Sequence, residues 1–189
     1  MPSTEDLARA ADASYAMSKS GKKSKKLEAA QEKAPDGYSV MFGNKDMVHM
    51  SNDDGHHIIA HRGTDVSGKS AMGDLAADAA ILFGASKNDK MHKRRTRKTA
   101  KIVKSIKADN PDAQIFLTGH SLGGETSVHS MHTNKTIRDN VTRHETFNAG
   151  SSPLGGDLKA KEGTKKHGEL MEKSIHHKVR GDGISESGS

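Results

Sequence analysis

The feature that most constrains the fold is a short apolar run joined directly to a glycine-rich segment. Residues 115–118 are Ile-Phe-Leu-Thr, and residues 119–124 are Gly-His-Ser-Leu-Gly-Gly. A compact apolar run is typical of a strand that is buried on both faces of a parallel sheet. We predict a helix after it, running toward Met131, so that Ser121 lies in a sharp turn between strand and helix. Parallel strands need crossover connections, which are usually helical, so this segment favours an α/β fold.

The rest of the chain contains further segments that fit such a sheet. We predict a helix over residues 4–17 with Thr4 as its cap, and a long helix over residues 90–107 with one apolar stripe among lysines and arginines. Further strands are predicted at residues 38–42, 46–50, 58–61, 141–147 and 175–180, and an apolar helix at residues 74–83. From residue 58 onward, strands and helices alternate, which predicts a mostly parallel sheet with flanking helices.

The domain organisation follows from length and composition. A chain of 189 residues fits one domain. We assign residues 1–37 to an N-terminal helix and basic linker, and residues 38–189 to the α/β domain. Within the first part, residues 18–26 are rich in Lys, Ser and Gly without apolar periodicity, which favours a solvated linker over a binding arm. The chain has no cysteine, which excludes disulfides and thiolate metal sites.

Ser121 is predicted to be a nucleophile. A serine hydroxyl is a weak nucleophile at neutral pH, so it needs exposure, a base and donors for the developing oxyanion. The turn provides exposure, and Gly119 and Gly123 let the strand and the helix approach without Cβ clashes. The helix that starts after Ser121 points its first amides at the reacting centre, so the backbone N–H of Leu122 is predicted to be one oxyanion donor.

The segment of residues 115–124 resembles the nucleophile segment of the class 3, fungal-type lipases, a branch of the α/β-hydrolase superfamily. In those lipases a strand ends in Arg-Gly-Ser/Thr and an Asp-Trp-x-x-Asp helix start follows. Here residues 62–64 are Arg-Gly-Thr, and residues 74–78 are Asp-Leu-Ala-Ala-Asp, with leucine in place of the aromatic residue. Residues 146–153 are similar to the family's Phe-Gly-x-Pro turn, and residues 179–185 to its catalytic-acid segment. The four motifs occur in the family's order.

The resemblance implies roles for two further residues and an activity. Thr64 would be the second oxyanion residue, and Asp182 would accept the N–H of a catalytic histidine. Asp182 also fits a turn, since Gly183 follows it. The implied activity is that of a serine carboxylic-ester hydrolase, a lipase or esterase, acting on acylglycerols, phospholipids or other esters through an acyl-enzyme. No cofactor is implied.

The catalytic histidine has no assigned position in the sequence. The order in this fold is serine, acid, histidine, but the last histidines, His176 and His177, precede Asp182. His120 is expected to pack beneath the turn rather than to act as the base. Two explanations stay open. Either a C-terminal segment with the histidine is missing, which we favour, or the protein has lost its base and acts as an inactive hydrolase-fold binding protein.

Two other signals suggest different kinds of site. Histidine pairs with ligand-like spacing occur at residues 56–57 with 61, and at 129 with 132, but there is no His-Glu-x-x-His motif, so we expect no metal. The long basic helix has no interleaved aromatic residues and matches no nucleic-acid motif, so we expect no nucleic-acid partner. Its basic face would favour contact with an anionic lipid surface.

Targeting segments are not recognised in the sequence. The N-terminus lacks the apolar region of a secretory signal, and no apolar run approaches the roughly 20 residues that span a bilayer. We therefore expect a soluble protein and favour the cytoplasm.

Overall fold

The computed structural model describes residues 1–18, 21–64, 85–149, 168, 170 and 172–178. Six strands form one sheet in chain order: β1 is Ser39–Asn44, β2 is Met47–Ser51, β3 is His56–His61, β4 is Gln114–His120, β5 is Val141–Phe147 and β6 is Ser174–His177. The first three strands pair antiparallel, and β3 to β6 pair parallel. The prediction of an α/β fold with a mostly parallel sheet and flanking helices is confirmed.

Helices cover both faces of the sheet. They are α1 at Thr4–Ala13, which continues as a 3-10 turn at Ser14–Ser18, α2 at Lys23–Glu32, α3 at Ala85–Asp109, α4 at Leu122–Thr133 and α5 at Lys135–Asn140. One apolar core lies between the sheet and α1 with α2, and a second lies between the sheet and α3 to α5. Among the described helices, none combines the length and apolar character needed to cross a bilayer.

Strand β4 lies in the middle of this arrangement because its side chains fit both cores. Phe116 belongs to the core on the α1 side, whereas Ile115 and Leu117 belong to the core on the α3 side. All three side chains are fully buried. A strand with apolar residues at consecutive positions needs cover on both faces, which is the environment that the apolar run predicts.

The N-terminal cap differs from the prediction. Ser3, rather than Thr4, caps α1: its hydroxyl accepts the N–H of Asp6, and the Asp6 carboxylate accepts the N–H of Ser3. This reciprocal pair satisfies two backbone donors that the helix leaves open. Thr4 is instead the first helical residue, and its hydroxyl donates to the Glu145 carboxylate.

Two short helices were not predicted. Helix α2 begins at Lys23, inside the segment predicted to be a solvated linker, because Leu27 and Ala30 pack against the α1-side core. Helix α5 starts where the Asn134 side chain accepts the N–H of Ile137, which is itself buried. The predicted helix at residues 74–83 lies outside the described residues.

Candidate active site at the carboxyl edge of the sheet

Ser121 lies in a strained turn between the end of β4 and the first residue of α4. Its φ is 53° and its ψ is −127°, a region that side-chain-bearing residues rarely adopt and that costs about 1–3 kcal/mol. Hydrogen bonds on both sides hold it there. The Ser121 N–H donates to the Phe147 carbonyl at 3.0 Å, and the Glu125 N–H donates to the Ser121 carbonyl at 3.0 Å. The backbone therefore makes the sharp strand-to-helix turn predicted from the sequence, with Ser121 half-buried at the carboxyl edge of the sheet.

The glycines around Ser121 are required by close backbone contacts. A Cβ added at Gly119 would lie 2.5 Å from the carbonyl carbon and oxygen of Gly123. A Cβ added at Gly123 would lie 2.8 Å from the carbonyl carbon of His61 and would overlap its oxygen. The strand-to-helix turn around Ser121 therefore packs directly against the end of β3.

The segment after β3 lies beside this turn. Gly63 touches the residue before Ser121, since a Cβ added there would lie 2.7 Å from the His120 carbonyl oxygen. Thr64 follows Gly63, and its buried hydroxyl has no hydrogen-bond partner among the described residues. A buried hydroxyl left unpaired costs free energy, so a ligand oxygen at this position would satisfy it. The two backbone segments that precede Thr64 and Ser121 are therefore in contact.

Tyr15, which no sequence motif indicates as a site residue, supports both segments from the N-terminal layer. Its hydroxyl lies 2.8 Å from His120 Nδ1 and also packs on Gly63. The His120 ring meets Tyr15 edge-on, with the two ring centroids 6.0 Å apart. His120 is therefore held beneath the turn, in the packing position expected from the sequence.

A buried ion cluster fixes the backbone just before Thr64. Arg95 of α3 is buried and donates from Nη1 to the Arg62 carbonyl at 2.6 Å. Buried Asp46 receives Arg94 at 2.8 Å, Lys98 at 2.7 Å and Arg95 Nε at 3.4 Å. Burial alone would raise the pKa of Asp46, but the hydrogen bond from Lys98 and the neighbouring cations lower it below its usual value. Burial lowers the pKa of Arg95 to about 10, so it stays charged at neutral pH.

The last two histidines of the sequence are bound to side chains of β5. His177 Nε2 lies 2.8 Å from the carboxylate of fully buried Glu145, and its ring stacks on Phe147 at 4.9 Å. His176 Nδ1 lies 2.8 Å from the hydroxyl of Thr146. Within the described part of the chain, no hydrogen bond joins either imidazole to Ser121.

The histidine pairs with metal-like spacing also have other contacts. His57 Nδ1 lies 3.0 Å from His49 Nε2, and His129 stacks on His92 with centroids 5.3 Å apart. His61 is fully buried with Nε2 3.1 Å from the Thr99 hydroxyl. In the described ranges, no group of three or more His, Cys, Asp or Glu side chains could hold a metal ion.

Two predicted site residues remain to be placed. Asp182 lies outside the described residues, and β6 is the described strand that precedes it. The backbone N–H of Leu122, the other predicted oxyanion donor, belongs to the first residue of α4, directly after Ser121. Both roles stay predictions.

A family model described as lipase (class 3) matches residues 58–183, about two thirds of the 189 residues. The match runs from β3 past β6, so it includes the Thr64 segment, the Ser121 turn and Asp182. Helices α1 and α2 precede it, and with them Tyr15 and the N-terminal layer. None of the curated proteins matches the chain.

Proposed function

Because the chain belongs to the class 3 lipase family of the α/β-hydrolase superfamily, we propose that it is a serine carboxylic-ester hydrolase with Ser121 as its nucleophile. The observation that supports this most is the positive φ of Ser121 in a turn where glycines meet neighbouring backbone. Strain of this kind persists only where the surrounding structure holds it, and it is concentrated at functional sites.

The proposed reaction proceeds through an acyl-enzyme. Ser121 Oγ attacks the acyl carbonyl while a histidine, whose position is not assigned, takes the hydroxyl proton and passes it to the leaving alcohol. The backbone N–H groups of Leu122 and Thr64 stabilise the oxyanion, and losing one such donor typically costs about 10²–10³ in rate. Asp182 orients the imidazole and stabilises its charged form. Water then hydrolyses the acyl-enzyme by the same steps.

The proposed substrates are acylglycerols, phospholipids or other carboxylic esters. Esters of long acyl chains are present in lipid surfaces rather than free in water. An enzyme that hydrolyses them therefore needs peripheral contact with a lipid surface. The basic side of α3 is the part of the described structure that we expect to make this contact with anionic lipid.

A fluorophosphonate probe and a short-chain chromogenic ester test the proposal. We expect the probe to label the wild-type protein at Ser121, and the ester to be hydrolysed. Ser121→Ala should abolish both, whereas Ser105→Ala, which changes an exposed serine on α3, should leave both intact. Labelling measured by mass spectrometry on the Ser121 peptide excludes reaction elsewhere. A wild-type protein that is folded but neither labelled nor active would contradict the proposal and favour an inactive hydrolase-fold protein that acts by binding.

A further inference from the structure

Helix α3 concentrates positive charge far above the average of the chain. Residues 90–108 contain nine lysines and arginines and no acidic residue, whereas the net charge of the whole chain is +6. The rest of the chain is therefore net negative. Five of these cations line one shallow depression of about 490 Å³, here named the α3 basic face: Lys90, Arg94, Arg97, Lys98 and Lys101.

The α3 basic face is partly preorganised by a buried carboxylate. Asp46 has 2% of its side chain exposed and receives both Arg94 and Lys98, whose side chains are 43% and 40% exposed. Arg94 is bound through both terminal nitrogens, at 2.9 Å and 2.8 Å. These two cations thus lose little further side-chain freedom when an external anion binds. A lysine or arginine on an ordinary solvated helix would lose much more.

The same contacts place the α3 basic face at the catalytic edge of the sheet. The carbonyl of Asp46 accepts the N–H of Arg62 at 3.0 Å, directly beyond the end of β3. Thr64 lies two residues further along the chain. Arg94 and Lys98, which bind the Asp46 carboxylate, therefore lie at the same edge of the sheet as the segment proposed to supply an oxyanion donor.

We propose that the α3 basic face docks the protein on an anionic phospholipid bilayer and brings the Ser121 turn toward ester bonds at that surface. The choice of lipid rests on the proposed ester hydrolysis. Along the helix, Lys90 to Lys101 extend over about 16 Å, which suits several headgroups better than a single phosphate. Helix α3 contains no Phe, Tyr or Trp on which nucleic-acid bases would stack.

Vesicle co-sedimentation of the whole protein tests the proposal. Phosphatidylcholine vesicles with about a third phosphatidylserine should bind the wild type, and vesicles of phosphatidylcholine alone should bind it much more weakly. The triple variant Lys90→Gln, Arg97→Gln, Lys101→Gln should lose affinity on the order of 100-fold. These three cations are not bound to Asp46, so the cluster that stabilises the fold is left intact.

A charge-matched variant serves as the control. Lys22→Gln, Lys25→Gln, Lys104→Gln removes the same charge from other exposed positions, and it should retain most of the affinity. An equal loss in both triple variants would overturn the assignment to this face. Wild-type binding that ignores lipid charge, displacement by inorganic phosphate at matched ionic strength, or binding to duplex DNA instead of vesicles would overturn bilayer docking.

The experiment separates docking from catalysis. Ser121→Ala should bind anionic vesicles as the wild type does, because the serine is not part of the α3 basic face. Docking without probe labelling of the wild type would leave the membrane proposal standing and contradict the proposed hydrolase. Labelling without docking would contradict the membrane proposal alone.

Discussion

At the scale of single residues, the candidate site depends on glycines, because they have no Cβ atom. The turn around Ser121 can form because Gly119 and Gly123, which lie where β4, α4 and the end of β3 meet, have no side chains. An added Cβ would meet backbone, which cannot move aside as the end of a flexible side chain can. The position of Ser121 relative to Thr64 is thus set by backbone packing.

Gly123→Ala should therefore impair the candidate site more strongly than it destabilises the fold. The new Cβ would overlap the His61 carbonyl oxygen, so β3 and α4 must separate and the proposed oxyanion donors must move. We expect probe labelling of Ser121 to fall by about 100-fold or more, as when an oxyanion donor is lost. Stability should fall by about 1–3 kcal/mol, since overpacking strains the neighbours.

Gly168→Ala is the matched control for this substitution. A Cβ added at Gly168 meets no atom within 4 Å in the described part of the chain, so labelling and stability should stay near those of the wild type. Labelling rates and urea-unfolding curves measured on both variants decide the question. Equal labelling by Gly123→Ala and the wild type would contradict the required close approach.

The sequence predicts this residue-level geometry where the motif is local. Glycines at fixed offsets from Ser121 indicate close backbone contact through the order of neighbouring residues alone. Tyr15 could not be found in this way, because it lies 105 residues from the His120 ring that it contacts. A side chain from another layer is specified only once the chain has folded.

At the scale of elements, Asp46 joins α3 to the edge of the sheet. One buried carboxylate binds three cations from two successive turns of α3, and Arg95 among them also donates to the Arg62 carbonyl. A buried cation needs a partner, since an uncompensated buried charge is costly. This cluster therefore stabilises the docking of α3 and the backbone before Thr64 together.

Asp46→Asn should destabilise the protein by about 3–5 kcal/mol, because it leaves buried Arg95 without a counter-charge while keeping the side-chain volume. Asp36→Asn removes the partner of Arg9 in an exposed pair and should cost less than about 1 kcal/mol. Urea unfolding followed by far-UV circular dichroism measures both. A cost for Asp46→Asn no larger than that for Asp36→Asn would show that the cluster does not stabilise α3.

Elements with a long apolar pattern were predictable, and short polar ones were not. Strand β5 has the predicted bounds Val141–Phe147, and α3 includes the predicted residues 90–107 and extends beyond both ends. Helices α2 and α5 contain few apolar residues, and each depends on one or two buried contacts or a cap. Such contacts depend on tertiary structure, which local periodicity does not report.

At the scale of the whole molecule, the interior is unusually polar. The composition indicates a thin apolar core, with 32% hydrophobic and 3% aromatic residues. In the structure, buried histidines and hydroxyl groups lie beside the two apolar cores and pair with each other. His144 lies 2.9 Å from the Ser127 hydroxyl and 3.0 Å from that of Ser174. Composition predicts that polar groups are buried, but only the fold decides which ones.

These buried histidines predict acid sensitivity. Burial lowers the pKa of His61 to about 3, with the charge of Arg95 adding to the effect, and lowers the pKa of His144 well below its usual value. His61 therefore stays neutral in the folded protein at pH 5, and His144 resists protonation there more than a free imidazole does, whereas in the unfolded chain both take up protons below about pH 6.5. The unfolded state then binds more protons, so stability must fall as the pH drops.

The free energy of unfolding should fall by up to about 1.4 kcal/mol per pH unit for each such histidine between pH 6.5 and pH 5. Urea unfolding at pH 7, 6 and 5 measures this through circular dichroism, since the chain has no tryptophan to report by fluorescence. His144→Gln can still bond to Ser127 or Ser174 but cannot titrate, so it should reduce the proton uptake on unfolding and flatten the fall in stability. Asp46 has a lowered pKa, so its contribution is present above about pH 4 and is lost only below that, outside this window. Stability that stays constant from pH 7 to pH 5 would therefore mean that the two imidazoles are charged or exposed in the folded protein.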